Sequence, residues 1–339
     1  MRKEFELGSR RDFIAETARN AALAATLVAG TARTAEGSPL NLARPGRGTV
    51  RPTNPALIAY EQVGGFRSPR PEPKRLAIGP EDHVYVCAGN YVTCLTAQGA
   101  PRLEVAVTAP ARCVAVATDG TLYVGLREHI EVFEATGRRL ARWEPPDSRS
   151  WITGVTLAGE AVFVCDAGQR VVLRYNQSGQ VLRRIGVRDP DRQIPGLSVP
   201  SPYLDAVLGK DGLLYVNNFG RHRVEGYTFD GYLETGWGRP SAAIDGFCGC
   251  CNPVGLAVLP DGRFVTCEKG IPRVKVHSPQ GEFESVVAGP ESFPENARAC
   301  SSLNDCVHGG LDVATDSRGQ VYILDLVTAD IRVMRRKMA

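Results

Sequence analysis

The chain has 339 residues, 43% of them apolar and 23% charged, which supplies both a packed core and a solvated surface. Wholesale disorder and a polytopic membrane protein are thereby excluded, and the length fits one large domain or two ordinary ones. Forty basic residues against 37 acidic ones leave a formal charge of +3 with no Lys/Arg block, which argues against nucleic acid as a partner.

The first segment stands apart in composition. Ser9-Arg10-Arg11-Asp12-Phe13-Ile14 precedes an apolar run of small residues from Ala21 to Ala32. At about twelve residues that run is too short for a stable membrane span. The pattern resembles the twin-arginine (Tat) export signal of bacteria, with cleavage after Ala32 and Gly30 at the third position before it. The resemblance implies passage of the folded chain through the Tat translocase, a periplasmic or extracellular location, and no membrane span in the mature chain. Residues 33–54 are rich in Pro, Gly and Arg with no hydrophobic period, and read as a flexible linker.

The remainder, 55–339, is organised by a repeat. RLAIGPEDHVYVC, CVAVATDGTLYVG, GVTLAGEAVFVC, DAVLGKDGLLYVN, GLAVLPDGRFVTC and GLDVATDSRGQVYIL each alternate apolar and polar residues on both sides of a turn. Their second runs are anchored by Tyr85, Tyr123, Phe163, Tyr215, Phe264 and Tyr322, spaced 38, 40, 52, 49 and 58 residues apart. A third alternating run follows most of them, such as RVVLRYN and DIRVMRR. Period-two alternation around Asp-Gly turns predicts antiparallel hairpins. Six such units predict an all-β, six-bladed propeller, in which radial repetition shelters the sheet edges. The last unit lacks a fourth strand, and Leu57–Val63 is placed to supply it and close the ring.

YVNNFGRHRVEGY, GLAVLPDGRFVTCEKGIPRVKVH and GLDVATDSRGQVYILD resemble NHL repeats over about residues 73–337. The resemblance implies a propeller and leaves the activity open, because that fold carries ligand binding, protein docking and several enzymes.

In such a fold the loop before each innermost strand and the loop after each second strand share a face. Three of the former are long, 187–203, 235–254 and 289–309, and loops of that length in a compact domain commonly serve function. Asp166, Asn217, Asn218, Glu268, Lys269 and Asp325 end second strands on that face, and His308 lies in its longest loop. They are candidates to bind a cation or a small polar ligand, the alternative being strand-end caps.

Ten cysteines are unevenly spread. Cys248, Cys250 and Cys251 lie within FCGCCNP, Cys267 precedes Glu268, and Cys300 and Cys306 share the longest loop. Three readings stand side by side. Disulfides would staple the loops in an oxidising compartment. The thiolates of Cys248, Cys250 and Cys251, with Cys267 or His308 as the fourth ligand, would hold a soft metal ion such as zinc, copper or iron. Otherwise the thiols are small buried hydrophobes. Cys250 and Cys251 are poor mutual partners, since neighbouring Cα atoms stand about 3.8 Å apart, below the usual disulfide range.

The GCCNP and VTCEKGIPRVKV stretches are similar to exported NHL-type bacterial proteins without an assigned reaction, which marks Cys250, Cys251, Asn252, Glu268 and Lys269 for testing. Propeller lyases bind zinc through histidines, and His129, His222 and His308 are the trio available here. Propeller lactonases use an early Glu, a middle Asn and a late Asp. Asn218 and Asp325 match the last two, but an early Glu in the family's setting is missing. The sequence thus favours an exported module that binds a small polar ligand or a periplasmic protein, with a metal or redox protein as the alternative, and it assigns no reaction.

Overall fold

The computed structural model describes residues 52–144, 147–294 and 310–338. The export signal, the linker up to residue 51, and Cys300, Cys306 and His308 lie outside the described residues. Within them the chain forms six four-stranded antiparallel sheets, the blades of a propeller. The chain enters through β1 (Tyr60–Arg67). Blade 1 is β2 (Pro73–Ile78), β3 (Val84–Ala88), β4 (Tyr91–Leu95) and β5 (Pro101–Ala106). Blade 2 is β6 (Cys113–Val116), β7 (Leu122–Gly125), β8 (Ile130–Phe133) and β9 (Arg139–Trp143). Blade 3 is β10 (Ile152–Ala158), β11 (Ala161–Asp166), β12 (Val171–Tyr175) and β13 (Val181–Ile185). Blade 4 is β14 (Ala206–Leu208), β15 (Leu214–Asn218), β16 (Arg223–Tyr227) and β17 (Leu233–Trp237). Blade 5 is β18 (Gly255–Val258), β19 (Phe264–Glu268), β20 (Arg273–His277) and β21 (Phe283–Ala288). Blade 6 is β22 (Leu311–Thr315), β23 (Val321–Asp325) and β24 (Asp330–Arg336), completed on its outer edge by β1.

The predicted closure is present, with its bounds shifted toward the C-terminus. Pro55–Leu57 form a 3-10 turn capped by the Asn54 side chain, and Ile58 bridges to Val286 of blade 5. The strand then runs to Arg67, from Tyr60 opposite Arg336 to Arg67 opposite Asp330. Gly65 is required there, because a Cβ would sit 2.9 Å from the Ile331 carbonyl. Similarly, residues 235–237 belong to β17, so the fifth blade's leading loop begins only at Gly238.

Alternation explains the packing. Sheets that are apolar on both faces stack on their neighbours, and each blade-to-blade interface holds its own apolar cluster. All six anchoring aromatics are buried in second strands. The Asp-Gly turns work as their chemistry requires. Asp119, Asp211 and Asp261 each accept from the backbone N–H two residues on, while Gly120, Gly212 and Gly262 adopt positive φ.

Tyr60 is 2% exposed in the cluster between blades 5 and 6, whereas Val63 on the same strand is 40% exposed. Tyr60→Ala is expected to cost about 3–5 kcal/mol in urea unfolding, against less than about 0.5 kcal/mol for Val63→Ala. Equal effects would show that β1 contributes no packing to ring closure.

Candidate functional site

The innermost strands meet at a charged hub. Arg75 of β2 donates from Nη1 to Asp205 Oδ2 at 2.9 Å and to Asp312 Oδ1 at 2.7 Å, and from Nε to the Thr153 carbonyl at 3.2 Å. Asp312 also accepts from Leu76 N at 2.7 Å, and Asp205 from Leu256 N at 2.9 Å. Blades 1, 3, 4, 5 and 6 are thus tied through one guanidinium and two carboxylates. Blades 1 and 4 are opposite one another in a ring of six, so the network spans the axis at the long-loop end. Beyond it lies a cavity of about 310 Å³ lined mainly by Val, Leu, Ile and Ala of the inner strands, among them Ile78, Val116, Leu157 and Val207.

Four cysteines surround this hub. Cys87, Cys165 and Cys267 end second strands, and Cys113 begins an inner strand. All are buried. Burial pushes the Cys113 thiol up to about 12 and the other three well above the ordinary thiol range. They are protonated small hydrophobes at neutral pH. Gly125 makes room for Cys113, whose sulfur would stand 2.4 Å from a Cβ there. Sequence reasoning missed Arg75, Asp205 and Asp312. Their signal was a charge at the start of an otherwise apolar inner run.

The strand-end residues singled out from sequence lie in four blades, and they bond to the backbone of nearby loops. Asp166 Oδ1 accepts from Trp151 N and Gln169 N, and Asp325 Oδ1 from Val327 N and Thr328 N. Asn218 joins Ser198 N, the Gly196 carbonyl and Glu225. Asn217 orders Asp205 N and the carbonyls of Tyr203 and Pro253. Asp166, Asn217, Asn218, Glu268 and Asp325 are fully buried.

Glu268 does more than cap. Its carboxylate meets Lys275 Nζ at 2.9 Å and Arg273 at 2.8 Å, and accepts from Cys248 N at 3.1 Å. Lys275 in turn donates to the carbonyls of Ile244 and Gly246 and lies over the Phe247 ring. Burial pushes the Lys275 ammonium below its ordinary value, and Glu268 opposes that. These buried charges fasten the loop preceding blade 5. Asn252 adds a second fastening, accepting from Lys269 N at 2.9 Å and donating to the carbonyls of Lys269 and Cys248. His222 supplies a third, with Nε2 donating to the Gly249 carbonyl at 2.7 Å.

On this platform the sulfurs of Cys250 and Cys251 stand 3.2 Å apart as thiols. Cys250 is exposed and Cys251 buried. The Ser201 hydroxyl donates to Cys251 Sγ at 3.6 Å, and Lys269 Nζ donates to Ser201 Oγ at 3.3 Å while lying over Tyr203. Cys267 is not part of this group: its thiol donates to the Leu311 carbonyl beside the hub. Among the described residues there is no disulfide and no group of three ligands suited to a metal ion.

Of the histidine trio, His129 pairs with Glu131 in blade 2 and His222 holds the Cys248–Cys251 segment. Trp151 and Trp237 are buried packing residues. Trp237 packs with tilted ring contacts against Phe247, Phe264 and His277.

No protein-family model and no curated protein matches the chain. Solved structures do resemble it. A streptogramin B lyase shares 16% identity at a TM-score of 0.56, covering 82% of this chain and 97% of its own. A catalytically inactive virginiamycin B lyase from Staphylococcus aureus, with quinupristin, shares 13% identity at 0.55, covering 79% and 82%. The Kuenenia stuttgartiensis hydrazine synthase shares 14% identity at 0.53, covering 82% and 99%. At these identities the likeness is one of fold: the chain is a six-bladed β-propeller.

Arg75→Met would leave two buried carboxylates without their cation and is expected to lower stability by about 3–5 kcal/mol in denaturant titration. Adding Asp205→Asn and Asp312→Asn to that variant should recover part of the loss. A near-neutral Arg75→Met would remove the hub from the account of stability.

His277 gives a pH test. Burial lowers its pKa to about 3 from an ordinary 6.5, so it is neutral when folded and protonates on unfolding. A depressed base contributes stability that is present above about pH 6.5 and lost as pH falls toward 3. From this group alone the protein should be about 2 kcal/mol less stable at pH 5 than at pH 7. Urea midpoints of His277→Gln should lack that part of the pH dependence.

Proposed function

We propose that this chain is a Tat-exported, NHL-type propeller that acts as a binding module, taking a small polar ligand or a protein of the same compartment on its long loops. The observation carrying this reading is that the loops leading into blades 4 and 5 are anchored from within. Ile194, Leu197, Val199 and Phe247 are buried beneath them, and Glu268 and Lys275 hold the second from inside. A fixed loop surface loses little entropy when it binds. Around the first loop, Val187 and Tyr232 are 46% and 47% exposed, and the Arg192 guanidinium lies over the Tyr232 ring. Aromatic and arginine side chains of this kind are the usual anchors of a contact surface.

A photo-crosslinking residue at Val187 or Tyr232, in an exporting host, is expected to yield a discrete adduct that is missing when the same residue replaces Leu140 on β9. Equal labelling at all three positions would overturn the surface assignment. Arg10→Lys combined with Arg11→Lys should leave the chain in the cytoplasm with its signal uncleaved, as read by fractionation. Undiminished export would overturn the Tat reading.

A further inference from the structure

We propose that Cys250 and Cys251 form a reversible dithiol–disulfide couple, oxidised by small-molecule disulfides that reach the exposed Cys250. The inference is independent of the binding reading, because the chemistry of the pair needs no partner on the long loops. It rests on three features of the platform.

The first is approach. The two sulfurs already face each other at 3.2 Å, held by a segment fixed at Cys248 N, the Cys248 carbonyl, the Gly249 carbonyl and Asn252. Ring closure therefore needs little chain ordering. The second is asymmetry. Cys250 is open to a small disulfide, whereas Cys251 is buried. The third is the hydrogen-bond chain from the Lys269 ammonium through the Ser201 hydroxyl to Cys251 Sγ. Its dipoles point toward the sulfur and favour negative charge on it, which is what an attacking thiolate requires.

The adjacency that disfavours a structural staple favours a switch. A disulfide between neighbouring residues closes across Cα atoms about 3.8 Å apart, below the usual range, and a strained bond is the more readily reduced.

The steps balance as two thiol–disulfide exchanges. The Cys250 thiolate attacks one sulfur of the external disulfide RSSR, forming a mixed disulfide and releasing RS⁻. The Cys251 thiolate then attacks the Cys250 sulfur and expels the second RS⁻. The two thiol protons end on the two leaving thiolates. Two cysteine sulfurs are oxidised and one RSSR is reduced to two RSH. Reduction runs the same steps backward with an external thiol.

The test uses the full chain purified from an exporting host, reduced, desalted and incubated without oxygen with oxidised glutathione. It is then acid-quenched, alkylated and digested for peptide mass analysis. The expected result is concerted loss of both alkylatable thiols at Cys250 and Cys251, in a peptide two hydrogens lighter whose Cys248 carries the label. Dithiothreitol should restore both thiols. Cys250→Ser and Cys251→Ser should each abolish the light peptide.

Ser201→Ala should accumulate the glutathione adduct on Cys250 with an unchanged melting transition, because only the second step loses its donor. Full alkylation of both residues after oxidised glutathione would overturn the proposal. So would a bridge from either one to Cys248 or to any other cysteine. The wild-type peptide mass decides this even where a variant fails to fold.

Discussion

At the centre of this molecule one guanidinium stands between two buried carboxylates. Arg75 reaches across the axis from blade 1 to Asp205 of blade 4 and takes Asp312 of blade 6 with the same nitrogen. Each carboxylate then receives a backbone N–H from an inner strand, Asp312 from Leu76 beside Arg75 and Asp205 from Leu256 of blade 5. Buried charges of this kind are tolerated only when paired and hydrogen-bonded, and removing one partner is far more damaging than never having had the set. The consequence is geometric. The inner strands are held at one level, the axis is occupied at the long-loop end, and everything on that face is built on top of a filled hub.

That arrangement explains why the polar strand ends behave as they do. With the axis occupied by the charged network, Asp166, Asn217, Asn218 and Asp325 turn their side chains to the backbone amides and carbonyls of the loops above and beside them. Glu268 goes further, because blade 5 adds Arg273 and Lys275 in the neighbouring strand and so gives it two cations. The salt-bridged group then holds the FCGCCNP loop from beneath. The vicinal thiols owe their fixed position to this chain of support, which runs from a buried carboxylate to the Cys248 amide and from Asn252 to the Lys269 backbone.

The propeller was legible because its cause is local and repeated. Period-two alternation and an aromatic in every second strand recur six times, three of the units turn on Asp-Gly, and each recurrence has the same physical reason. Leu57–Val63 was recognised as the closing strand by the same logic. Its bounds lie later because Pro55 begins a turn and the Gly64-Gly65 pair lets the strand continue to Arg67. Much less of the site was legible. Arg75, Asp205 and Asp312 lie 130 and 107 residues apart in turn, and no periodicity links them. Cys267 is expected with Cys248, Cys250 and Cys251 because second strands end on the long-loop face, yet consecutive strand residues point to opposite faces. Glu268 thus turns to the loop, and Cys267 turns to the hub.

The sequence by itself determined the blades, their number and the ring closure, because strand alternation and turn chemistry act between near neighbours along the chain. Tertiary structure alone decided which charges meet at the axis and which sulfurs face one another. Those contacts depend on how inner strands and loops from separate blades converge, and convergence in space leaves no fixed spacing in the chain. The same residue type therefore serves as inert packing at Cys87, Cys113 and Cys165 and as a fixed pair, one sulfur exposed and one buried, at Cys250 and Cys251.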